Sequence, residues 1–471
     1  MSNVDNLLPK SEDELTLRDK DGTIKAGFVA AVEQAVESHD AARAKALAGD
    51  LHEADLGALL EAMDSEARPR LIELMGADFD FAALTEVDDN VREEILDELE
   101  NATVAEGMRD LNSDDQVSIL EDLDKADQDA VLGALPAMDR VNLQRSLDYP
   151  EDSAGRLMQT ALVTVPPFWT VGQTIDRMRD VDGGRLPDSF FEVFIVDATH
   201  RLLGNVFLDR LLRSKRPVRM DAIMQADRRR VKVSENREVV ARTFARYNLV
   251  SVPVVDDGDR LVGMITIDDI VDVIQEVADD DLKALGGVRA GEELSDTVAA
   301  TSKSRFPWLF VNLITAFAAS VVLWLFDAQL GKMVQLAVLA PIVASQGGNA
   351  ATQTMTVAVR ALATRELSGA QVSRVIWREI LVGCFNGIAF GVITGLMASL
   401  WFGLQGLGVC IALAMLTNLV AGALGGIFIP LVLDRFKFDP AVSSGAFVTT
   451  VTDLVGYSSF LTIATIWFNL W

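Results

Sequence analysis

Five apolar segments in the C-terminal third of the sequence are each long enough to cross a bilayer. They comprise residues 306–326, 333–359, 380–401, 407–433 and 440–471. About 20 apolar residues in a helix span the hydrocarbon core, and a backbone inside it must satisfy its own hydrogen bonds. The sequence therefore predicts an all-α membrane domain of five helices.

The two parts of the chain differ in charge. Residues 306–471 contain 7 Lys/Arg and 6 Asp/Glu, whereas the first 305 residues contain the other 35 and 63, a net charge of −28 (35 − 63). This acidity disfavours nucleic acid and attracts cations. Of the loops between the spans, those on the side of the acidic part contain eight Lys/Arg, against one on the other side. The positive-inside rule then predicts a multi-pass protein of the cell (inner) membrane, with cytoplasmic N-terminal domains and the C-terminus on the opposite side.

A 24-residue repeat occupies much of the first 150 residues. Its copies begin at residues 58, 82, 106 and 130, and apolar residues recur at equivalent positions. Examples are the sets Leu60, Leu84, Met108, Leu132 and Leu71, Ile95, Ile119, Leu143. Each copy predicts two short helices around a polar turn, and stacked copies form an α-helical superhelix. Residues 84–129 contain 17 acids and 3 bases, so the superhelix needs cations to shield its carboxylates.

The next region predicts α/β structure. Residues 163–223 and 231–274 each predict a strand, a helix, two strands and a helix. This region resembles a tandem pair of CBS domains, regulatory modules that often bind adenine nucleotides. The family's G-x-x-T-x-x-D pattern occurs in the second copy, and the resemblance implies nucleotide contacts at Thr266 and Asp269. The first copy departs from the pattern, with Phe207 and Arg210 at the corresponding positions.

An acidic helix is predicted to follow the second copy. One broad face of this helix carries Asp269, Asp272, Glu276, Asp279 and Asp280. A charge run of this kind is usually a solvated face, but this one leads toward the membrane. Behind it, a glycine hinge and a polar helix are predicted to reach Arg305.

Polar residues inside the apolar segments suggest a path for ions. Residues 341–366 carry Gly347, Gly348 and Asn349, which predict a pore wall or, alternatively, close helix packing. Asp453 is the only charge between residues 440 and 471, and burying it at the bilayer centre costs ~2.5–3.5 kcal/mol. Because no Lys or Arg lies at that depth, Asp453 is predicted to face a cation pathway.

Together these residues resemble the MgtE family of magnesium channels and transporters over almost the whole chain. The resemblance rests on the EDSAGRLM segment before the CBS pair, on GGN-x-x-x-Q at Gly347, Gly348, Asn349 and Gln353, and on Asp439 and Asp453 in FDPA and TDLVG. Ala350, Ala351 and Thr352 replace the family's more usual Thr-Gly-Asn.

The resemblance implies a homodimer with one pore at the subunit interface, lined by the second and fifth spans. It makes Gly347, Gly348, Asn349 and Gln353 pore-lining, and it gives Asp453 a hydrated Mg²⁺. It further implies that regulatory Mg²⁺ bridges the superhelix, the second CBS copy and the connecting helix, and so holds the pore shut. The residues implied for those ions are Asp269, Asp272, Asp280, Asp281, Asp439, Asp114 and Asp115.

The sequence leaves other functions open. One is a membrane-anchored sensor of Mg²⁺ or nucleotide that does not transport, although an anchor has no use for Asp453. Another is a transporter for Mn²⁺ or Co²⁺. Enzymatic activity is not expected, because no nucleophile–base pair or phosphate-binding loop is evident. The predicted domains are 1–150 (acidic helical repeats), 151–276 (tandem CBS domains), 277–305 (a plug-like connecting helix) and 306–471 (the five-helix pore domain).

Overall fold

The structure is a computed structural model that describes residues 16–179, 186–187, 190–226, 229–289, 292, 297–363, 370–438 and 440–471; side chains are described outside 363–371 and 440–444. Its contacts divide the chain into two compact units, Met1–Val277 and Ala278–Trp471. The first unit holds the repeats and the CBS pair, and the second holds the apolar helices.

The repeat region is a stack of short helices, as predicted. Equivalent apolar residues of the four copies fill one continuous core, and Leu84, Met108 and Ile119 are completely buried. Two of the helices end at a buried leucine. Leu99 and Leu123 are the C-cap residues of these helices, and the backbone at each is extended. The helices are α1 (Ala26–Glu37), α2 (Ala41–Ala48), α3 (Glu53–Ala62), α4 (Arg68–Met75), α5 (Asp89–Glu98), α6 (Asn101–Gly107), α7 (Ser113–Asp122), α8 (Lys125–Ala134) and α9 (Ala137–Leu147).

The CBS pair contains two three-stranded sheets of the same topology. In each sheet the first and second strands run parallel and the second and third run antiparallel. The first copy comprises β1 (Thr164–Val165), α10 (Val171–Arg179), β2 (Glu192–Val196), β3 (Leu202–Phe207), α11 (Leu208–Arg213) and α12 (Met220–Ile223). The second comprises β4 (Val231–Lys232), α13 (Arg237–Tyr247), β5 (Ser251–Val255), β6 (Leu261–Thr266) and α14 (Ile267–Leu285).

From the second strand to the start of the last helix, the two copies correspond with an offset of 59 residues. Glu192 pairs with Phe207 in the first sheet, and Ser251 pairs with Thr266 in the second. Each third strand passes directly into a helix whose fourth residue, Leu211 or Ile270, is fully buried. Arg210 is therefore equivalent to Asp269, as predicted, and the same register makes Arg213 equivalent to Asp272.

The segment between α14 and the first apolar helix differs from the prediction. Gly287 has a φ of +72°, and the Val288 N–H donates to the Lys283 carbonyl at 3.0 Å, so the glycine hinge is the cap of α14. The predicted polar helix ending at Arg305 is not separate, because the helix that starts at Val298 continues through Arg305 into the apolar segment. Polar residues at its start extend a spanning helix beyond the hydrocarbon.

Five long helices form the second unit, in agreement with the predicted count. They are α15 (Val298–Leu325), α17 (Gln335–Ala363), α18 (Ala370–Phe402), α19 (Gln405–Arg435) and α20 (Pro440–Phe468); the short α16 (Asp327–Lys332) links the first two. Within the described residues, four stretches are long and apolar enough to span a bilayer, in α15, α18, α19 and α20. Polar residues around Gly347 and Asn349 keep α17 out of this group.

α19 is the most buried helix of this unit, and glycines let α18 approach it closely. Gly383, Gly387, Gly391 and Gly395 recur every four residues on one face of α18. A Cβ on Gly391 would lie 2.8 Å from the Ala412 carbonyl oxygen of α19. These backbones therefore pack at a distance that only glycine permits.

We expect Gly391→Ala to destabilise the membrane unit by about 1–3 kcal/mol, the usual cost of forcing an extra carbon into a packed contact. Gly445→Ala in α20 is the matched control, because a Cβ there meets nothing within 4 Å. Thermal unfolding in detergent measures both variants. Equal transition temperatures would contradict the close approach of α18 and α19.

Candidate divalent-cation sites

Carboxylates of the repeat region and the second CBS copy meet inside the first compact unit. Asp114 and Asp115 lie in the first turn of α7, and Asp269 lies in the first turn of α14. The Asp114 side chain is 9% exposed, and both of its carboxylate oxygens are buried without a normal hydrogen-bond partner among the described residues. The Asp269 and Asp114 carboxyl groups are close enough for a hydrogen bond if one of them is protonated. We name Asp114, Asp115, Asp268, Asp269 and Asp272 the α7–α14 cluster.

The neighbourhood of the cluster raises the pKa values of its carboxyl groups. Burial, followed by repulsion from Asp269, raises the pKa of Asp115 to about 7. Burial also raises the pKa of Asp269 to about 6, against the opposing hydrogen bond from Thr266. The pKa of Asp114 is raised well above its ordinary value, first by burial and then by Asp269. When they are ionised together, these carboxylates repel one another.

Two further acids add to this repulsion and were missed in the sequence. Glu53 and Glu86 both raise the pKa of Asp115, and Asp272 in turn raises the pKa of Glu86 after the larger effect of burial. Glu86 packs directly against Gly57 of α3: a Cβ built on Gly57 would lie only 2.8 Å from the Cβ of Glu86. Glu53 lies one turn before Gly57. No repeat register relates the two acids, so only the folded packing brings them together.

The cluster suits a hydrated divalent cation rather than a fully ligated one. Among the described residues, no three His, Cys, Asp or Glu side chains form a ready metal site. Mg²⁺ prefers oxygen ligands and retains several of its waters, so it can bind between carboxylates that do not converge closely. The buried, unpartnered oxygens of Asp114 fit such an ion, because they have lost water without gaining a donor.

Asp272 lies at the edge of this cluster, one turn beyond Asp269. Its side chain is largely exposed, and its pKa is raised by partial burial and then by Asp268. Asp280 and Asp281, also predicted to be regulatory, lie near the end of α14. Asp439 lies outside the described residues. These assignments remain predictions.

The predicted nucleotide-contacting pair is preformed but occupied by internal contacts. The Thr266 hydroxyl donates to Asp269 at 2.8 Å, and the Thr266 N–H lies 3.3 Å from the same oxygen. Asp269 thus closes the turn from β6 into α14 while it faces Asp114.

In the membrane unit, the predicted glycine motif lies where three helices meet. The buried Asn418 of α19 donates its side-chain N–H to the Val343 carbonyl of α17 at 2.8 Å. A Cβ on Gly347 would lie 2.1 Å from the Asn418 Nδ2, and one on Gly456 of α20 would lie 2.7 Å from the same atom. α17 is an unbroken helix through Gly347 and Gly348, and the approach at Gly347 is the close helix packing that the sequence left open as an alternative. These glycines make room for an amide that joins the helices.

The other motif residues belong to an exposed polar face of α17. This face is not covered by the described residues of the chain, and its members recur at helical spacing: Ser345, Asn349, Thr352, Gln353 and Thr356. Asp453 is half-buried in the middle of α20, directly after Thr452, whose hydroxyl oxygen lies 3.7 Å from the position of a Cβ on Gly348. The two helices therefore bring Asp453 and the polar face to the same level.

Glu379 is a membrane-unit carboxylate that sequence reasoning missed. It is largely buried, accepts a hydrogen bond from the Thr354 hydroxyl of α17 at 3.1 Å, and pairs with Arg378 at 2.7 Å. The predicted span began at residue 380, one position too late to include it. As the only acid in α18, it was nevertheless visible in the sequence.

Three regions of the chain match known families. Residues 340–463 match MgtE, described as a divalent cation transporter; residues 51–152 match the MgtE intracellular N domain; and residues 221–276 match the CBS domain. Three curated relatives carry the name magnesium transporter MgtE. The relative from Bacillus subtilis is 26% identical over 88% of this chain and 92% of its own length. Those from Enterococcus faecalis and Thermus thermophilus are each 30% identical, over 68% and 69% of this chain and 70% and 72% of their own lengths.

Two solved structures are similar to part of this chain. One is the soluble part of a magnesium transporter, 24% identical, covering 53% of this chain and 98% of that chain with a TM-score of 0.47. The other is the cytosolic domain of the Mg²⁺ channel MgtE in complex with ATP, 26% identical, covering 52% and 99% with a TM-score of 0.48.

A helical membrane unit with a polar helix and an embedded carboxylate, attached to an acidic helical stack and a CBS pair, defines a regulated divalent-cation transporter. At 30% identity over more than two thirds of two curated relatives, the chain belongs to the MgtE family of magnesium transporters.

The raised pKa values predict that acid favours the α7–α14 contact when no divalent ion is present. Because the packed cluster binds protons more tightly than separated carboxylates do, its stabilisation by protons is complete near pH 4. It is lost as pH rises through about 6 to 7. In EDTA, energy transfer between dyes on α9 and α13 should therefore fall from pH 5.5 to pH 8.

Asp114→Asn should reduce this pH dependence, whereas Asp257→Asn, at an exposed carboxylate of the β5–β6 turn, should leave it unchanged. A wild-type signal that is constant from pH 5.5 to pH 8 would show that the cluster does not control the contact.

Proposed function

We propose that the protein transports Mg²⁺ through a pore lined by α17 and α20, and that cytosolic Mg²⁺ bound at the α7–α14 cluster closes it. The observation that carries the proposal is the polar face of α17 at the level of Asp453. A polar face of about three turns is costly against lipid, so it needs water or protein.

A second copy of the chain supplies the rest of the pore wall. One copy leaves Asn349 and Gln353 exposed, together with the neighbouring threonines of α17. Two copies related by a two-fold axis would place these faces opposite each other, with one Asp453 from each copy. This supports a homodimer in the cell membrane, with the N-terminal domains in the cytosol.

Oxygen chemistry favours Mg²⁺ over the softer divalent ions. The residues that face the pathway offer amide, hydroxyl and carboxylate oxygens, and the three His of the sequence all lie in the first 305 residues. Imidazole and thiolate ligands would favour Co²⁺ or Ni²⁺. One carboxylate per subunit can hold Mg²⁺ through its retained waters.

The cytosolic cluster provides the sensor. Repulsion among Asp114, Asp115 and Asp269 opposes the α7–α14 contact, so a divalent ion that neutralises them favours it. Mg²⁺ then shifts the equilibrium toward the packed arrangement by its differential affinity for the two states. The acidic α14, which leads from this cluster toward the membrane unit, would transmit the change. Nucleotide binding at Thr266 and Asp269 stays a prediction.

Replacing Asp453 tests transport. We expect Asp453→Ala to reduce Mg²⁺ flux into proteoliposomes to background at both low and high internal Mg²⁺, because the pathway loses its only charge in α20. Asp327→Ala is the control, since that exposed carboxylate lies in α16 between the spans. Undiminished flux in Asp453→Ala would assign the pathway to other residues.

Replacing two cluster acids tests the gate. We expect Asp269→Asn/Asp272→Asn to leave flux open at internal Mg²⁺ concentrations that close the wild type, because the sensor loses ligands. Asp257→Asn/Asp259→Asn removes the same charge from the β5–β6 turn and should close normally. If Mg²⁺ inhibits the Asp269/Asp272 variant as it inhibits the wild type, the gate lies elsewhere.

A further inference from the structure

The two CBS copies present equivalent helices with opposite charge. The register of the strands makes residues 208–213 equivalent to 267–272, and the buried Leu211 and Ile270 anchor the alignment. Beyond them the copies differ, because α11 ends at Arg213 and α14 continues. Residues 208–213 contain two bases and one acid, a net charge of +1 (2 − 1), and residues 267–272 contain three acids and no base, a net charge of −3. The same strand-to-helix turn therefore appears twice with net charges of opposite sign.

The charge changes sign at the positions that, in the second copy, contact the helical stack. Asp269 faces Asp114, and Asp272 lies one turn further along the same helix. Their equivalents are Arg210 and Arg213 on α11, both exposed. Where the second copy repels the acids of α7, the first copy would attract them.

The basic positions of the first copy are available. Among the described residues, no ion pair engages Arg210, Arg213 or Lys215, and all three are exposed. By contrast, neighbouring Arg216 is held by Asp176 at 2.6 Å. We name Arg210, Arg213 and Lys215 the α11 face. Residues 201–246, which contain it, carry 13 bases and 5 acids, whereas the rest of the chain carries 29 and 64.

We propose that the α11 face receives the acidic end of α7 when no divalent cation is bound. This inference rests on the proposed gate. With Mg²⁺, Asp114 and Asp115 pack against α14. Without Mg²⁺, they move away from the repulsive Asp269 and form ion pairs with Arg210 and Arg213. The helical stack is therefore docked in both states, at two different positions.

The partner is the chain's own helical stack rather than a second copy. Ala154 and Gly155 donate N–H groups to the Glu235 and Val233 carbonyls, so the chain is fixed to the second CBS copy from there onward. Asp152 belongs to this anchor too, because its carbonyl accepts the Arg237 N–H at 2.8 Å and its carboxylate pairs with Arg237 at 3.2 Å. Residues 148–151 are the link between α9 and the anchor, and Tyr149 within it packs against the second CBS core. So short a tether gives the stack a millimolar effective concentration at its own CBS pair.

Cysteine cross-linking in the full-length protein in nanodiscs tests the exchange. One cysteine replaces Asn112, the residue that caps α7, and the other replaces Val271 or Leu212. The last two are equivalent positions on α14 and α11, 52% and 73% exposed. A short bis-maleimide should join residues 112 and 271 in Mg²⁺, and residues 112 and 212 in EDTA.

Arg210→Glu/Arg213→Glu should abolish the 112–212 product and leave the 112–271 product in Mg²⁺. Arg242→Glu/Arg246→Glu on α13 makes the same charge change elsewhere and should preserve both. Failure to form the 112–212 product in EDTA, its persistence in the Arg210/Arg213 variant, or a product of dimer size would each overturn the proposal.

Flux gives a second, separate readout. Arg210→Glu/Arg213→Glu removes the docking position that competes with α14. The variant should therefore need about two- to tenfold less Mg²⁺ for half-inhibition of flux, the range that two exposed ion pairs supply. An unchanged or raised half-inhibition would overturn the role of the α11 face in gating. The cross-links measure docking independently of transport, so they can be interpreted even if the transport proposal fails.

Discussion

The packing of Asp114 against Asp269 is the contact on which the first compact unit depends. Two carboxylates that have lost water repel each other, and burial strengthens the repulsion. Asp269 accepts hydrogen bonds from Thr266, but the oxygens of Asp114 have no donor among the described residues. The contact is favourable only when a proton or a cation occupies the space between the two carboxylates. In the proposed gate, the stability of the contact is therefore set by the concentration of an ion rather than by the protein alone.

The membrane unit also offers oxygen atoms to a cation, but its helices must stay in place rather than separate. A pathway must hold its geometry while ions pass, and here the buried Asn418 joins α17 to α19 beside Gly347 and Gly456. The amide satisfies part of its hydrogen bonding inside the protein, and the glycines allow backbones to approach it. Asn349 and Gln353 lie on the exposed face of the same helix, which the proposed pathway would use. One side of α17 therefore packs against other helices, and the opposite side carries the polar face.

Local patterns in the sequence were enough to predict the elements. The 24-residue period identified the buried positions of the helical stack, such as Leu84 and Ile119, because equivalent residues of stacked repeats occupy equivalent places. The CBS pattern likewise located Asp269 at the start of the helix that follows the third strand, while its nucleotide contact stays a prediction. Glu53 and Glu86 could not be found in this way, because their proximity depends on how α3 packs against the turn before α5. The sequence could not choose between a pore wall and close packing at the paired glycines, because the Asn418 side chain that Gly347 admits lies on a neighbouring helix.

Two docking positions of opposite charge would change how such a sensor responds to salt. If the ion-free state were only the absence of a contact, screening would weaken repulsion at Asp269 and salt alone would favour closure. An ion pair between α7 and Arg210 or Arg213 in the ion-free state is weakened by the same screening. Both effects favour the α14 position, so the balance between the docking positions depends more on ionic strength than either contact alone would. A duplicated domain provides this dependence at little structural cost, since both copies already share a strand-to-helix turn and need differ only in the sign of a few side chains.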